Sequence, residues 1–277
     1  MMSIEPLSEN KDRRSELVPN ISVVIPAYNE AKRLPGTLRA AEKYFGTRNL
    51  SREILIVDDG SQDDTVQICL NLRDKITGLQ ILRNGRNRGK GFSVRHGILE
   101  ASAPLVLMMD ADQSSPMEEL DKLLPSVRDG QSDIAIGSRA LKESQILVHQ
   151  PLYREPLGFL YNDIIQLLVL KGIQDTQCGF KLFRRDVARD VFPLGRLSGF
   201  AFDVEILFIA RKLGYCITEI PIRWQNDPNT KIKILRHGLN MLADLFRIRW
   251  NDWKGLYNSN SHPKMSGSNI SGSGLKC

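Results

Sequence analysis

Cysteine is scarce and scattered. The 277 residues contain 4 Cys, at positions 69, 178, 216 and 277, and no two of them form a CxxC pair. Such spacing argues against a zinc site or a disulfide framework and fits a reducing compartment. Long apolar runs are also missing. A membrane span needs roughly 18 apolar residues, and the longest candidate, Ile164 to Leu170, is short and follows Asn162 and Asp163. The N-terminus is polar and mixed in charge, unlike a signal peptide. No Walker A motif, GxGxxG or G-x-S-x-G occurs, so the usual signatures of P-loop, dinucleotide and hydrolase sites are absent. Acidic residues are outnumbered, 32 against 38 Lys and Arg, for a net charge of +6. That excess suggests an anionic partner: nucleic acid, anionic lipid or a phosphorylated small molecule.

What is present points to an α/β protein. Residues 1–20 read as a flexible arm, and 258–277, rich in Gly, Ser and Asn, as a disordered tail. Between them, 21–257 reads as one domain with a nucleotide-binding half (21–140) and an acceptor half (141–257). Ile21–Ile25, Ile54–Val57, Leu79–Leu82, Leu105–Met109 and Ile134–Ile136 are near-continuous apolar runs rich in β-branched residues. Strands buried on both faces of a parallel sheet look like this. Helical patterns alternate with them. One carries Leu34, Leu38, Ala41 and Phe45, another Val66, Cys69 and Leu72, and a third opens at Gly91. A fourth has Ser115 as its expected N-cap and Pro116 at its first position. Alternation of this kind implies βαβ units and a Rossmann-like, mostly parallel sheet. Further on, the pattern predicts a helix over 157–171, a strand over 180–183, a helix over 203–213, a strand over 216–224 and an amphipathic helix over 235–250.

Ligands of open α/β sheets sit at the carboxyl ends of the strands, and polar clusters fall at those ends. They are Pro26-Ala27-Tyr28-Asn29-Glu30, Asp58-Asp59-Gly60-Ser61, Asp110-Ala111-Asp112 and Gly137-Ser138-Arg139. A single cluster could be a turn with a helix cap; four on one edge indicate a ligand site. The two carboxylates of Asp110 and Asp112 repel unless a cation lies between them. A hard divalent ion shared with substrate phosphates is the usual solution. Asn87-Arg88-Gly89-Lys90-Gly91 precedes a helix and could hold a phosphate through glycine backbone, helix N-terminus and the Lys90 ammonium. His96, one turn further, reads as a partly buried polar residue without a chemical role.

Together, VVIPAYNE (23–30), VDDGSQDDT (57–65), NRGKG (87–91), DAD (110–112) and GSR (137–139) resemble the family 2 glycosyltransferases of the GT-A fold. KGIQDTQCGFKLF (171–183) and GFAFDVEILFIA (199–210) resemble the dolichyl-phosphate β-glucosyltransferase branch, related to dolichol-phosphate mannose synthases. The resemblance runs from about Ile21 to Trp253. It implies that Pro26, Tyr28, Glu30 and Asp58 line the base and ribose pocket, with Asp59 close by and Lys90 approaching the nucleotide. It implies that Asp110 and Asp112 hold the donor ribose and a Mg²⁺ or Mn²⁺ on the diphosphate. Arg139 and Arg154 would face a lipid phosphate, and Lys231 would close over the phosphates. Asp175 and Gln177, in the loop bordering sugar and acceptor, would complete a catalytic set with Asp112 and Arg139. Mannose synthases follow DAD with Leu-Gln, whereas Gln113 and Ser114 stand here, which favours the glucosyl branch.

The implied reaction is an inverting transfer of a sugar, glucose from UDP-glucose, to a polyprenyl or dolichyl phosphate. The alternatives are mannosyl transfer from GDP-mannose, transfer to a polysaccharide hydroxyl, or a non-catalytic nucleotide-sugar-binding scaffold. A phosphate acceptor already carries about 1.5 to 2 negative charges at neutral pH and needs no general base. Asp203 and Glu205 are therefore expected to orient the acceptor loop. Leu235, Leu239, Leu242 and Phe246 follow helical spacing with Trp250 and Trp253 beyond, and Lys231–Lys254 holds six Lys/Arg against two Asp. This composition suits a helix lying in a membrane interface, the alternative being a helix packed on its own domain. The expected location is peripheral, on the cytoplasmic face of a membrane, with no nucleic acid as partner.

Overall fold

The computed structural model describes residues 19–48, 50–148, 154–226 and 234–258. The expected arm and tail thus lie almost entirely outside the described residues. The elements follow in the order β1 (Ile21–Ala27), α1 (Leu34–Gly46), β2 (Arg52–Asp58), α2 (Thr65–Leu72), β3 (Leu79–Arg83), α3 (Lys90–Glu100), β4 (Leu105–Met109), α4 (Leu120–Arg128) and β5 (Ile134–Ser138). Then come β6 (Gln145–Val148), α5 (Arg154–Leu168), β7 (Phe180–Arg184), α6 (Arg185–Val191), α7 (Phe202–Lys212), β8 (Ile217–Pro221), β9 (Arg223–Gln225) and α8 (Ile234–Trp253).

The main sheet has seven strands in the order β3-β2-β1-β4-β7-β5-β8, and β6 and β9 form a separate parallel pair. The neighbours of β1, β2 and β5 pair in parallel, except that β7 runs antiparallel to both β4 and β5. Side chains alternate across each strand, so the apolar runs feed two cores. Val24, Leu55, Val57, Val106 and Met108 pack with α3, α6 and α7. Ile21, Val23, Ile25, Ile54, Ile56 and Leu107 pack with α1 and α4. Helix α1 shows how the pattern works: Leu34, Leu38, Ala41 and Phe45 recur at helical spacing and are all buried.

Three sequence expectations are corrected. Pro116 has ψ 147, an extended conformation, so no helix starts at it. A short 3-10 turn, Met117–Glu119, leads into α4 instead. The strand expected over 216–224 is split. β8 ends at Pro221, which lacks an N–H and sits on the sheet edge where that is tolerated; after Ile222, β9 joins β6. Strand β7 was expected, but its reversal was not. The reversal puts its first residues at the same edge as the carboxyl ends of β4 and β5.

Helix α8 packs on the domain through Leu245 and Ile248, both fully buried, while Phe246, Trp250 and Trp253 are 64%, 54% and 76% exposed. The apolar stripe read from sequence thus runs along the border of the buried face: Leu242 packs against the core and Phe246, one turn on, does not. Beyond α8, Tyr257 is fully buried and its hydroxyl donates to Glu205 Oε1 at 2.6 Å. Glu205 Oε2 accepts the backbone N–H groups of Arg196 and Leu197, each at 2.8 Å. One buried carboxylate therefore ties the segment after α8 to the loop ahead of α7.

Stripping this carboxylate leaves buried donors unsatisfied, at about 1–3 kcal/mol each. Glu205→Ala should lower unfolding stability by about 3 kcal/mol in urea titrations. Glu205→Gln, which keeps an acceptor for both amides, should retain most turnover. Loss of turnover in Glu205→Gln with fold and ligand affinity intact would assign this residue to the chemistry instead.

Candidate active site

The carboxyl edge of the sheet carries the candidate residues. The loops after β1 and β2 are laced together: Ser61 Oγ accepts from Asn29 N at 2.9 Å, Thr65 Oγ1 from Glu30 N at 2.7 Å, and Asn29 Oδ1 from Gln62 N at 2.7 Å. Asp58 turns back on its own loop, accepting from Gly60 N at 3.3 Å and Ser61 N at 3.1 Å. Pro26 is half-buried, and Tyr28, 38% exposed, stands at the mouth of this corner. Glu30 is buried and pairs with Arg33, whose Nε donates to Oε2 at 2.6 Å.

Asp59 serves the next loop. Its Oδ1 accepts from Asn84 Nδ2 at 2.7 Å and Arg88 N at 2.9 Å, and its Oδ2 from Gly89 N at 2.8 Å. Gly91 N donates to Ser198 O at 2.8 Å. The amides of residues 88, 89 and 91 are thus satisfied by protein. Gly89 has φ +97, and a Cβ on it would overlap Ser198 O. The glycines let the start of α3 approach the loop before α7 and do not form a phosphate cradle, which corrects the expectation from sequence. What remains for a ligand is Lys90 itself. His96 Nδ1 lies 2.8 Å from Asn84 Oδ1, a packing role as expected.

At the centre, Lys90 Nζ is 2.6 Å from Asp110 Oδ1. Burial disfavours its charge, but Asp110, Asp203 and Asp112 outweigh this and raise its pKa. Asp112 accepts from Ser114 N at 2.9 Å and lies 3.9 Å from Arg33 Nη1. Burial and the neighbouring Asp110 carboxylate push its pKa up. Thr37 Oγ1 donates to Ala111 O at 2.6 Å, pinning the turn between the two acids. The Gln113 side-chain amide packs toward Gly36 on α1.

The reversed strand supplies the other wall. Asp110 N donates to Gly179 O at 3.1 Å, and a Cβ on Gly179 would overlap the Asp110 carboxylate. Arg139, directly after β5, is gripped by Asp175: Nε to Oδ2 at 2.7 Å, Nη2 to Oδ1 at 2.8 Å, and its backbone N to Oδ2 at 2.9 Å. Burial opposes the Asp175 charge, but Arg139 holds its pKa below the usual range, and Asp175 in turn raises that of Arg139. The Arg139 side chain keeps 28% exposure, enough to meet a ligand. Gln177, half-buried, donates its backbone N–H to Asp175 Oδ1 at 3.3 Å. Beneath the loop, Glu219 accepts from Gln174 N at 2.7 Å and Asp175 N at 2.9 Å. Fully buried Lys181 reaches Cys178 O and Asp203 Oδ1, each at 2.5 Å.

The edge therefore unites Asp110, Asp112 and Lys90, and sets Arg139 with Asp175 and Gln177 beside them. Arg154 opens α5, but its side chain is outside the described set, as is all of Lys231. Sequence reasoning missed Arg33, Lys181 and Glu219, and it placed Gly179 in the loop without its contact to Asp110. A lone lysine inside the apolar strand FKLF was the one available signal.

A family model described as glycosyl transferase family 2 matches residues 22–192. The chain belongs to glycosyltransferase family 2. A dolichyl-phosphate beta-glucosyltransferase of Dictyostelium discoideum is 34% identical over 262 residues, covering 91% of this chain and 80% of that one. One of Drosophila melanogaster is 37% identical over 242 residues, covering 82% and 74%. Among solved structures, a glucosyl-3-phosphoglycerate synthase from Mycobacterium tuberculosis in complex with Mn²⁺, UDP and glucosyl-3-phosphoglycerate aligns with TM-score 0.61 at 16% identity, covering 84% and 79%. A mannosyl-3-phosphoglycerate synthase from Rubrobacter xylanophilus aligns with TM-score 0.63 at 19% identity, covering 90% and 79%. These structures share the GT-A fold expected for this glycosyltransferase.

The Gly179 contact is directly testable. Gly179→Ala should displace Asp110 and lower turnover by roughly 10², with a small change in thermal midpoint. Gly46→Ala, at a site with nothing within 4 Å, should leave both unchanged.

Proposed function

We propose that this family 2 enzyme transfers glucose from UDP-glucose to dolichyl phosphate, with inversion at the anomeric carbon. One observation carries the phosphate-acceptor chemistry: the carboxylates at this edge are already engaged. Glu30 has Arg33, Asp58 and Asp59 have backbone amides, Asp110 has Lys90, Asp112 has the Ser114 amide, Asp175 has Arg139, and Asp203 has Lys181. None of these is poised as a general base for a hydroxyl. A phosphate oxygen needs none. It would attack C1 as the bond from C1 to UDP breaks, and catalysis then rests on positioning and on stabilising the departing diphosphate.

Pro26, Tyr28, Glu30 and Asp58 are the candidates for the uridine corner, and Lys90 for the diphosphate. Arg139, oriented by Asp175, and Arg154 are the candidates for the acceptor phosphate. The donor set of Asp110 and Asp112 fits Mg²⁺ or Mn²⁺: two hard oxygen ligands on one turn, one of them with a pKa raised by burial and by the other. No group of three or more metal-ligating side chains occurs among the described residues, so the diphosphate would complete the coordination. Bound there, the ion would neutralise charge developing on the leaving diphosphate.

No helix among the described residues is long and apolar enough to cross a membrane. The outer face of α8 supports a peripheral encounter with the lipid acceptor. Phe246, Trp250 and Trp253 are exposed beside Arg247, Arg249 and Lys254, and the two indole rings lie 5.0 Å apart. Aromatic and basic residues together suit an anionic interface such as the cytoplasmic leaflet.

With a short polyprenyl phosphate, labelled transfer should occur from UDP-glucose over GDP-mannose and should stop with EDTA. Transfer to a phosphate-free polyprenol would refute the mechanism. Sedimentation with anionic liposomes should fall at least about tenfold when Trp250 and Trp253 become Ser and Arg247 and Arg249 become Glu. Unchanged sedimentation would remove the membrane-facing role of α8.

A further inference from the structure

We propose that Lys90 and a divalent cation compete for the Asp110 carboxylate, so that metal binding depends on the nucleoside diphosphate that gives the displaced ammonium a new partner. This rests on the reading above that Asp110 and Asp112 hold the metal.

Both acids already face protein cations. Lys90 Nζ is 2.6 Å from Asp110 Oδ1, and Arg33 Nη1 is 3.9 Å from Asp112 Oδ2. A dication arriving alone must take Asp110 from Lys90 and sit close to the displaced ammonium, while Arg33 stays paired with Glu30. With a diphosphate the displaced ammonium acquires an anionic partner, and its repulsion of the dication is offset.

The scaffold permits this exchange through the side chain alone. The backbone on either side of Lys90 is locked, Gly89 N to Asp59 at 2.8 Å and Gly91 N to Ser198 O at 2.8 Å. The lysine stem is flexible and its ammonium is a point charge that can re-aim. A second carboxylate, Asp203, acts on Lys90 and is itself anchored by Lys181 at 2.5 Å. Asp110, Lys90, Asp203 and Lys181 thus alternate in sign. Losing Asp110 to a metal leaves Lys90 attracted to Asp203 and so retained at the site.

Mn²⁺ binding read from the free-ion EPR signal tests the idea without measuring turnover. Wild-type protein should bind Mn²⁺ at least about tenfold more tightly with UDP than without it. Lys90→Met should bind Mn²⁺ alone about tenfold more tightly than wild type and lose most of the UDP enhancement. Lys90→Gln, which keeps a polar group, should move the same way, with circular dichroism confirming the fold of each. Mn²⁺ affinity unchanged or weaker in both folded variants, with the UDP enhancement intact, overturns the competition. Failure of wild type to bind Mn²⁺ even with UDP, matched by Asp110→Asn, overturns the metal reading itself and the competition with it.

Discussion

The backbone contact between Asp110 and Gly179 is the constraint on which the site depends. A parallel strand in the place of β7 would start at the far edge of the sheet. Because β7 runs against β4 and β5, its leading loop, 175–179, arrives where β4 delivers Asp110 and β5 delivers Arg139. The hydrogen bond from Asp110 N to Gly179 O fixes that meeting, and only a residue without Cβ leaves space for the carboxylate. The two clusters, one around Lys90 and one around Arg139, become a single site through this contact. Asp110 contributes to the electrostatics of both cations.

A concentration of acids at one edge would destabilise the fold if the charges were left to each other. The structure answers with individual pairing. Lys181 is the most telling case, since a fully buried lysine is tolerable only with good partners. It has a carbonyl and the Asp203 carboxylate, both at 2.5 Å. Burial still pushes Asp203 upward in pKa against the pull of Lys181 and Lys90, so the pair lies in a low-dielectric setting where geometry matters. Arg139 is treated likewise: two hydrogen bonds to Asp175 leave its guanidinium few orientations, its backbone N–H adds a third, and Glu219 holds the loop that carries Asp175. Such preorganisation is what transfer without a general base requires, because the stabilising charges must be aimed before the reaction starts.

Much of the first half was legible in the sequence. Strands buried on both faces read as unbroken β-branched runs, and polar residues at their ends marked the ligand edge. Asp110, Asp112 and Arg139 became candidates that way, and Lys90 through the NRGKG segment ahead of a helix. Other features depend on partners distant in the chain. Gly89 and Gly91 look like a phosphate loop, and only the close approach of Ser198 to the first and of Leu197 and Phe202 to the second explains them otherwise. The direction of β7 follows from its neighbours, β4 and β5, and not from its own five residues. Gly179 looks like any turn glycine until Asp110 is beside it. Helix α8 misled because its apolar arc is wider than the face the domain covers, from Leu245 and Ile248 to the exposed Phe246 and Trp250, and periodicity alone does not say where the buried part ends.

That helix is also not an appendage to the catalytic edge. Its inner face seats Leu245 and Ile248 in the core shared by α3, α6 and α7. The chain beyond it places Tyr257 on Glu205; Glu205 holds the amides of Arg196 and Leu197; and Ser198, next in line, receives Gly91 N at the start of α3. Lys90 lies between Gly91 and Gly89, whose own amide is held by Asp59. A continuous set of hydrogen bonds therefore links the segment after the aromatic helix to the lysine facing Asp110. Each bond in it is backbone-to-carboxylate, hydroxyl-to-carboxylate or backbone-to-backbone, with no long flexible side chain in series. The position of the Lys90 backbone is thus set from two sides, by β2 through Asp59 and by the C-terminal segment through Glu205, which leaves the lysine side chain as the movable part.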